Sequence, residues 1–372
     1  DGDLIIYVTW RGLASNKALL GLGKIGGEVK AASSLAASPD ALTGRRPQDR
    51  QRFLEQATFG PTRTMAEMPS GVKLRTWIAQ QFAQPYPSLA NPYPAQPLKP
   101  VNAPADCDND QTVTPDVPVT CFRDTYTMYP LQQWNSKEML YGDNQLRHKV
   151  TWALSQIWVT SGVDIQQSRH MVEWHKILSN NAFGNYRTLM KQMTLSPTMG
   201  DYLSMSQSTR TNPNENYARE IKQLFSIGLF MLNQDGTFIC VENNPCQPGD
   251  TKVPTYDQNV VNNLTKVFTG WSFCSIPASC PNIVSGTVNF IDPMLLNGGV
   301  TQIGNNRHDL TAKTLLSYPG STTTNIAPCP VLPTAGACNA TPNATGLANT
   351  LAYANASMDQ ALDNIFYHPN VG

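Results

Sequence analysis

The chain has few charged residues and no excess of either sign. Of its 372 residues only 15% are charged, with 27 Lys and Arg against 27 Asp and Glu, whereas an average globular protein has about 25% charged residues. No run of basic residues is present, which excludes a nucleic acid as the main partner, since that partner needs a basic face. No stretch approaches the roughly 18 apolar residues of a spanning helix, so we expect no membrane span.

The sequence also lacks the short motifs of several enzyme classes. It contains no GxSxG nucleophile elbow, no phosphate loop of the Walker type, and no CxxC pair. The segment HMVEWH contains His170 and His175, but its spacing fails the metalloprotease patterns because Trp174 separates Glu173 from the second histidine. Zinc is therefore a poor interpretation.

What the chain does have is eight cysteines, which fall into neighbouring pairs in loops rich in Pro, Gly and Asn. We expect four local disulfides, although the sequence alone leaves their connectivity open. Disulfides indicate an oxidising compartment, so we expect a periplasmic, cell-surface or secreted protein. No signal peptide precedes Asp1, so we take the chain as mature or trimmed. The pairs are Cys107 with Cys121, Cys240 with Cys246, Cys274 with Cys280, and Cys329 with Cys338.

The spacing of apolar residues predicts a mainly α fold: an irregular helical domain with long disulfide-stapled loops and few short strands. Residues 1–46 are predicted to form a strand, DLIIYVTW, and a linker. Residues 47–372 form the helical domain, and residues 85–121 are a Pro-rich insertion closed by a disulfide. In QLRHKVTWALSQIW, apolar residues from Leu146 to Ile157 recur at helical spacing and predict a core-facing stripe. The segment DLTAKTLLSYPG is predicted to be a brief helix or turn.

Seven separated segments, in this order, resemble the uncharacterised bacterial domain-of-unknown-function family numbered eighteen hundred. The resemblance covers about residues 52–372. It implies secretion, and it implies that a C-terminal part is missing, because family members continue past a segment like HPNVG. The family has no established activity, but members are often encoded beside a secreted protein resembling the alkaline phosphatase and sulfatase group, which implies such a partner. The segments are RFLEQATFGPT, QLRHKVTWALSQIWVTS, NNAFGNYRTLMKQMTLSPTMGDYLS, NPNENYAREIKQLFSIGLFMLNQDGT, TYDQNVVNNLTKVFTGWSF, RHDLTAKTLL and ALDNIFYHPNVG.

The densest group of polar residues is NPNENYARE, at the start of a predicted helix. Glu215 and Arg219 are four residues apart and can pair on the helix surface. Glu220 lies at the edge of the apolar stripe, so we expect it to be half-buried, with the raised pKa that a general acid needs. The alternative, which we favour, is a structural network that ties this helix to its neighbours.

The segment NNRHDLTAK is the second candidate site. His308 with Asp309 can form an acid/base or metal-binding arm. Equally, Asp309 can be a helix N-cap while His308 packs in a loop. A catalytic site requires His308 to approach Glu215 or Glu220.

Two further patterns allow binding. Asp106, Asp108 and Asp110 alternate in ADCDNDQT, a spacing of oxygen ligands that suits calcium, although the full EF-hand pattern is absent and a solvated acidic turn explains it as well. Four tryptophans can offer stacking platforms for carbohydrate, although Trp152 and Trp158 are better explained as core residues and Trp271 as a packed loop anchor. These tryptophans are Trp134, Trp152, Trp158 and Trp271.

Two classes of function follow. The first, which we favour, is a secreted cell-envelope or extracellular-matrix protein with a binding or structural role, whose partner is an envelope protein or a polysaccharide. The alternative is a hydrolase-like enzyme acting on an extracellular polymer or envelope glycan through Glu220 and His308, with Glu215, Arg219 and Asp309 as supporting charges. The sequence specifies no cofactor beyond the calcium hypothesis.

Overall fold

The chain divides into two compact units, 1–185 and 186–372, each of which is described by itself. The structure is a computed structural model. It describes residues 4–6, 9–10, 13–14, 18–20, 47–60, 74–99, 107, 120–297, 307–330, 337–338 and 344–371.

The described part of the first unit is mainly helical. Its helices are α1 (Pro47–Ala57), α2 (Leu74–Ala83), α3 (Cys121–Tyr126), α4 (Tyr129–Tyr141), α5 (Gln145–Ile157) and α6 (Ser168–Asn180). The N-terminal segment contains two antiparallel strand pairs, so DLIIYVTW holds two strand segments where we predicted one. These pairs are β1 (Leu4–Ile6) with β4 (Ala18–Leu20) and β2 (Thr9–Trp10) with β3 (Leu13–Ala14).

Helix α5 forms where the sequence predicts it but buries the opposite face. Its buried residues are Gln145, His148 and Thr151, whereas Ile157 is 39% exposed. The Gln145 side-chain amide donates to two backbone carbonyls in the last turn of α4 and to that of Gly142, which follows it, and His148 Nε2 lies 3.1 Å from a carboxylate oxygen of Glu138. The predicted core-facing stripe is therefore wrong, because specific polar partners hold the polar face inward. Trp152 on the same helix is 45% exposed, so its predicted core position is also wrong.

The first unit has a buried aromatic and polar cluster beside α5. The Tyr93 hydroxyl lies 2.9 Å from His175 Nδ1 and 2.7 Å from Ser179 Oγ. The Trp134 ring stacks on Tyr93 at 4.4 Å between ring centroids. Burial lowers the pKa of His175 to about 3, so this histidine is a neutral hydrogen-bonding partner at neutral pH.

The described part of the second unit is also mainly helical, with two short antiparallel strand pairs. Its helices are α7 (Tyr186–Thr194), α8 (Pro197–Tyr202), a 3-10 turn (Met205–Gln207), α9 (Asn216–Gln223), α10 (Gln258–Val267) and α11 (Ala344–Phe366). The strand pairs are β5 (Trp271–Ser272) with β6 (Leu295–Leu296) and β7 (Lys313–Thr314) with β8 (Asn325–Ile326). Helix α10 begins at a true cap, since the Asp257 side chain accepts from Val260 N at 2.9 Å. The core contains Tyr217, Ile221, Val261, Leu264, Met358 and Leu362.

The loops of both units carry the predicted disulfides. All four expected pairs are bonded: Cys107–Cys121, Cys240–Cys246, Cys274–Cys280 and Cys329–Cys338. The segment DLTAKTLLSYPG forms no helix, because Lys313–Thr314 pairs with Asn325–Ile326 as an antiparallel strand. The predicted alternative of a turn holds on either side of that strand, at Asp309–Thr311 and at Pro319–Gly320. Among the described residues, no helix has both the length and the apolar character needed to cross a bilayer.

Candidate functional site

The polar start of α9 forms a closed network with α10. Arg219 Nη2 donates to Glu215 Oε1 at 2.7 Å, which confirms the predicted pair, and Gln258 Nε2 donates to the other Glu215 oxygen at 2.8 Å. The hydrogen bond from Arg219 is the main reason that the pKa of Glu215 is lowered. Because both partners are partly exposed, the pair contributes little to stability and mainly fixes geometry.

Glu220 is half-buried, as expected. Its hydrogen bonding differs from that of Glu215 and Arg219, which bind each other. Its Oε2 is shielded from solvent and makes no hydrogen bond within the part of the chain that the structure describes. Burial raises the pKa of this carboxyl, and the positive charge of Arg219 opposes that shift. One property of a general acid is therefore present at Glu220.

His308 is buried and fixed by the turn that follows α10. Its Nδ1 lies 2.8 Å from the Thr269 carbonyl and donates to it. Gly270 has φ +80°, and a Cβ there would lie 2.7 Å from His308 N, so glycine is required for this approach. Burial lowers the pKa of His308 to about 4, so the ring is neutral at neutral pH.

Asp309 shapes the turn before β7. Its Oδ1 accepts from Thr311 N at 2.8 Å and from the Thr311 hydroxyl at 2.6 Å. No helix follows within residues 307–330, so the alternative of Asp309 as a helix N-cap is wrong. Burial raises the pKa of Asp309, but the Thr311 hydrogen bonds and Lys313 outweigh it and leave the pKa lowered.

The structure places the five predicted catalytic residues in two groups. Glu215 and Arg219 bind the side chain of Gln258, the first residue of α10, whereas His308 binds Thr269, two residues past its end. A helix of 10 residues spans about 15 Å at 1.5 Å per residue. Among the described contacts, neither Glu215 nor Glu220 touches His308.

The predicted binding residues give a mixed outcome. Asp106, Asp108 and Asp110 lie outside the described residues. Within the ranges that the structure describes, no group of three or more His, Cys, Asp or Glu could hold a metal ion. Of the tryptophans, Trp134, Trp158 and Trp271 are buried, so they offer no exposed stacking face.

A pocket of about 540 Å³ opens in the second unit between the loop after β7 and the C-terminal end of α11. Its lining includes Tyr318, Thr322, Gln360, Asp363 and Tyr367. Its volume lies within the roughly 300–1,000 Å³ that is usual for small-molecule sites. The Tyr367 side chain is 64% exposed, which leaves its ring available at the rim.

Two side chains that line the pocket, Asn364 and Tyr318, form hydrogen bonds to backbone groups and so fix its walls. The Asn364 amide donates to the carbonyls of Leu316 and Thr323, each at 2.9 Å, and accepts from Leu316 N at 3.0 Å. The Tyr318 hydroxyl donates to the Asn364 carbonyl at 2.7 Å. By contrast, the side chains of Thr322 and Gln360 make no hydrogen bond to other described residues. They are exposed polar groups that can serve a ligand.

Asn370, in the closing HPNVG segment, has a structural role. Its amide donates to the carbonyls of Ile227 at 2.7 Å and Phe230 at 2.8 Å, and its oxygen accepts from Leu232 N at 3.1 Å. This side chain therefore anchors the loop that leaves α9. One of the seven segments that carry the family resemblance thus has a structural role.

The sequence interpretation missed the pocket residues and Lys222. Tyr318, Asp363 and Tyr367 come from two distant segments, and nothing local to either predicts that they meet. Lys222 is four residues after Ala218 and three before Phe225, both buried, so helical spacing alone places it on the apolar face.

The fold and these sites define a helix-rich, disulfide-bonded protein with an open polar pocket in its second unit. The model of the family described as Protein of unknown function (DUF1800) matches residues 52–372. The chain therefore belongs to this family. No curated protein and no solved structure matches the chain.

Proposed function

We propose that this chain is a cell-envelope or extracellular binding protein whose pocket at Tyr318 and Tyr367 takes a sugar unit of a neutral polysaccharide. The observation that carries the proposal is the lining of that pocket: aromatic rings beside an amide, a hydroxyl and a carboxylate. A sugar presents C–H groups on its faces and hydroxyls at its edge. Aromatic rings pack against the faces, and amide and carboxylate groups bind the edge.

Binding is better supported than hydrolysis at this pocket. Hydrolysis of a glycoside normally needs two carboxyl groups roughly 5–9.5 Å apart. Of the described residues that line the pocket, Asp363 alone carries a carboxylate, and no histidine lines it. Arg187 Nε donates to Asp363 Oδ1 at 2.6 Å, so this carboxylate is already engaged in an ion pair.

The chemistry of the whole chain agrees with such a role. The net charge is zero, so no long-range field selects a charged polymer. Four disulfides are typical of an oxidising compartment, and we propose the periplasm, the cell surface or the medium as the location. The hydrolase alternative requires Glu220 and His308 to act together, whereas Arg219, the neighbour of Glu220, binds the first residue of α10 and His308 binds Thr269, two residues past its end.

The test is a titration of the purified full chain with a panel of neutral soluble oligosaccharides, followed by calorimetry. Tyr367→Ala is expected to weaken binding about tenfold, equal to about 1.4 kcal/mol, because it removes the exposed ring. Tyr141→Ala is the matched control, since Tyr141 is 78% exposed and does not line the pocket. Equal affinity of wild type and Tyr367→Ala, or no binding to any member of the panel, would refute the proposal. Release of reducing ends from the polymers would instead identify a hydrolase.

A further inference from the structure

Two lysines of the second unit are fully buried, and their amines have opposite surroundings. Lys313 Nζ donates to the carbonyls of Asp309 at 2.8 Å and Thr311 at 2.9 Å, and to the Tyr353 hydroxyl at 3.0 Å. These bonds use all three donors of an ammonium group. Lys313 is therefore a satisfied structural cation.

Lys222 lies in the last turn of α9, and its side chain is 0% exposed. Its Nζ makes no hydrogen bond to any residue that the structure describes, and it sits over the ring of Tyr256, 4.4 Å from the centroid. An ammonium group left without acceptors in such a place is strongly disfavoured. The described hydrogen bonds therefore give the Lys222 amine no structural role.

Burial and one neighbouring charge favour the neutral form of Lys222. Burial lowers the pKa of Lys222 to about 7, and the positive charge of Arg219 lowers it further, while Asp257 and Glu215 oppose the shift. Glu215 is itself paired with Arg219 at 2.7 Å, which reduces its effect. A lysine that is desolvated and lies near another cation is the usual form of an activated amine nucleophile.

We propose that Lys222 is a covalent binding site for an aldehyde or ketone, with the Tyr256 side chain as its cover. The amine nitrogen attacks the carbonyl carbon, the new C–N bond replaces the C–O bond, and the oxygen leaves as water with the two amine protons. No oxidant or reductant takes part. Tyr256 is half-buried, and among the described residues its hydroxyl hydrogen-bonds only to Gln223 Oε1, at 3.3 Å. The proposal requires this side chain to rotate so that the carbonyl compound reaches the amine. This inference is independent of the sugar pocket.

The test traps the imine on the full chain with its disulfides intact. The protein is treated with propanal and sodium cyanoborohydride over a range of pH, and labelling at each lysine is measured by peptide mass spectrometry. Labelling of Lys222 is expected to reach half its maximum near pH 7, whereas labelling of an ordinary lysine continues to rise above about pH 9. At pH 7 we expect Lys222 to be labelled about tenfold faster than Lys252, because an ordinary lysine is then almost entirely protonated.

Two comparisons separate this site from a merely buried lysine. Lys313 is equally buried but satisfied, so its labelling is expected to be at least tenfold slower than that of Lys222. Tyr256→Phe keeps the ring and is expected to keep the pH profile, whereas Tyr256→Ala opens the site to water and moves the midpoint towards that of an ordinary lysine. Labelling of Lys222 no faster than that of Lys313, or with the pH profile of an ordinary lysine, would overturn the proposal.

Discussion

Replacement of Lys222 by methionine is expected to stabilise the protein, although it removes a lysine at the heart of a family motif. Methionine has a similar length and no charge, and it fits an apolar site with little strain. The amine has no described hydrogen bond to lose. The substitution therefore removes the free-energy cost of burying an ammonium group and loses only the contact of that group with the Tyr256 ring.

The magnitude follows from the pKa of the lysine. Burial lowers it from 10.5 to about 7, and each unit corresponds to about 1.4 kcal/mol, so the full cost is on the order of 4–5 kcal/mol. Below pH 7 the folded and unfolded states both carry the charge, and the folded state bears this cost in full. Between pH 7 and 10.5 the folded state has already released the proton while the unfolded state still holds it. The wild type therefore gains stability as pH rises through this window, and the advantage of methionine shrinks.

The assay is urea unfolding with disulfides intact, followed by far-UV circular dichroism at about pH 6 and about pH 10. Lys222→Met is expected to raise the free energy of unfolding by about 3–5 kcal/mol at the lower pH, and by much less at the higher pH. Lys313→Met is the matched comparison and is expected to destabilise, because it leaves three acceptors without their donor at about 1–3 kcal/mol each. A loss of stability in Lys222→Met at the lower pH, or a gain that does not change with pH, would refute the reasoning.

Three further outcomes are expected. Gly270→Ala should lower the melting temperature more than Gly228→Ala, since both glycines have positive φ but only a Cβ at 270 meets backbone, at 2.7 Å from His308 N; equal effects would contradict this. Asn370→Ala should cost about 2–4 kcal/mol in urea unfolding, because three hydrogen bonds are lost; wild-type stability would show that the loop is held otherwise. Stability should fall as pH drops from about 6.5 to about 4, because burial lowers the pKa of His170 to about 3 and of His308 to about 4, so the unfolded state takes up protons first; a flat profile over this window would contradict it.

Much of the fold was predictable because its signals are local. The sequence predicts a closing helix over ATGLANTLAYANASMDQALDNIFYHPNVG, and α11 runs from Ala344 to Phe366, ending before YHPNVG. The disulfides join cysteines only 6 to 14 residues apart. Their closeness in sequence is therefore enough to predict that neighbouring cysteines pair. The direction that α5 faces was not predictable in this way. It depends on Glu138, which binds His148 from another helix, and sequence spacing carries no trace of that partner.

In the candidate site, too, local features were predictable and those that depend on distant residues were not. The Glu215–Arg219 pair follows from i, i+4 spacing, but the partner that completes the network, Gln258, is 43 residues from Glu215. His308 looked like an acid/base group because histidines titrate near neutral pH. Burial lowers the pKa of His308, so the ring does not titrate near neutral pH. That burial depends on the close approach of Gly270 to the His308 backbone, a contact between residues distant in sequence.

Clusters of charge and isolated charges carry different information about function. At the start of α9, Glu215 and Arg219 are close enough in sequence to pair, and Gln258 completes their hydrogen bonds, so this pair needs no ligand. Lys222 lies between buried residues of the apolar face, where no local partner can reach its amine. Lysines are almost never fully buried without a partner, so a lysine inside an apolar stripe is a more specific sign of chemistry than a dense polar segment. In this chain that criterion selects Lys222 from the same helix whose charged start had drawn attention first.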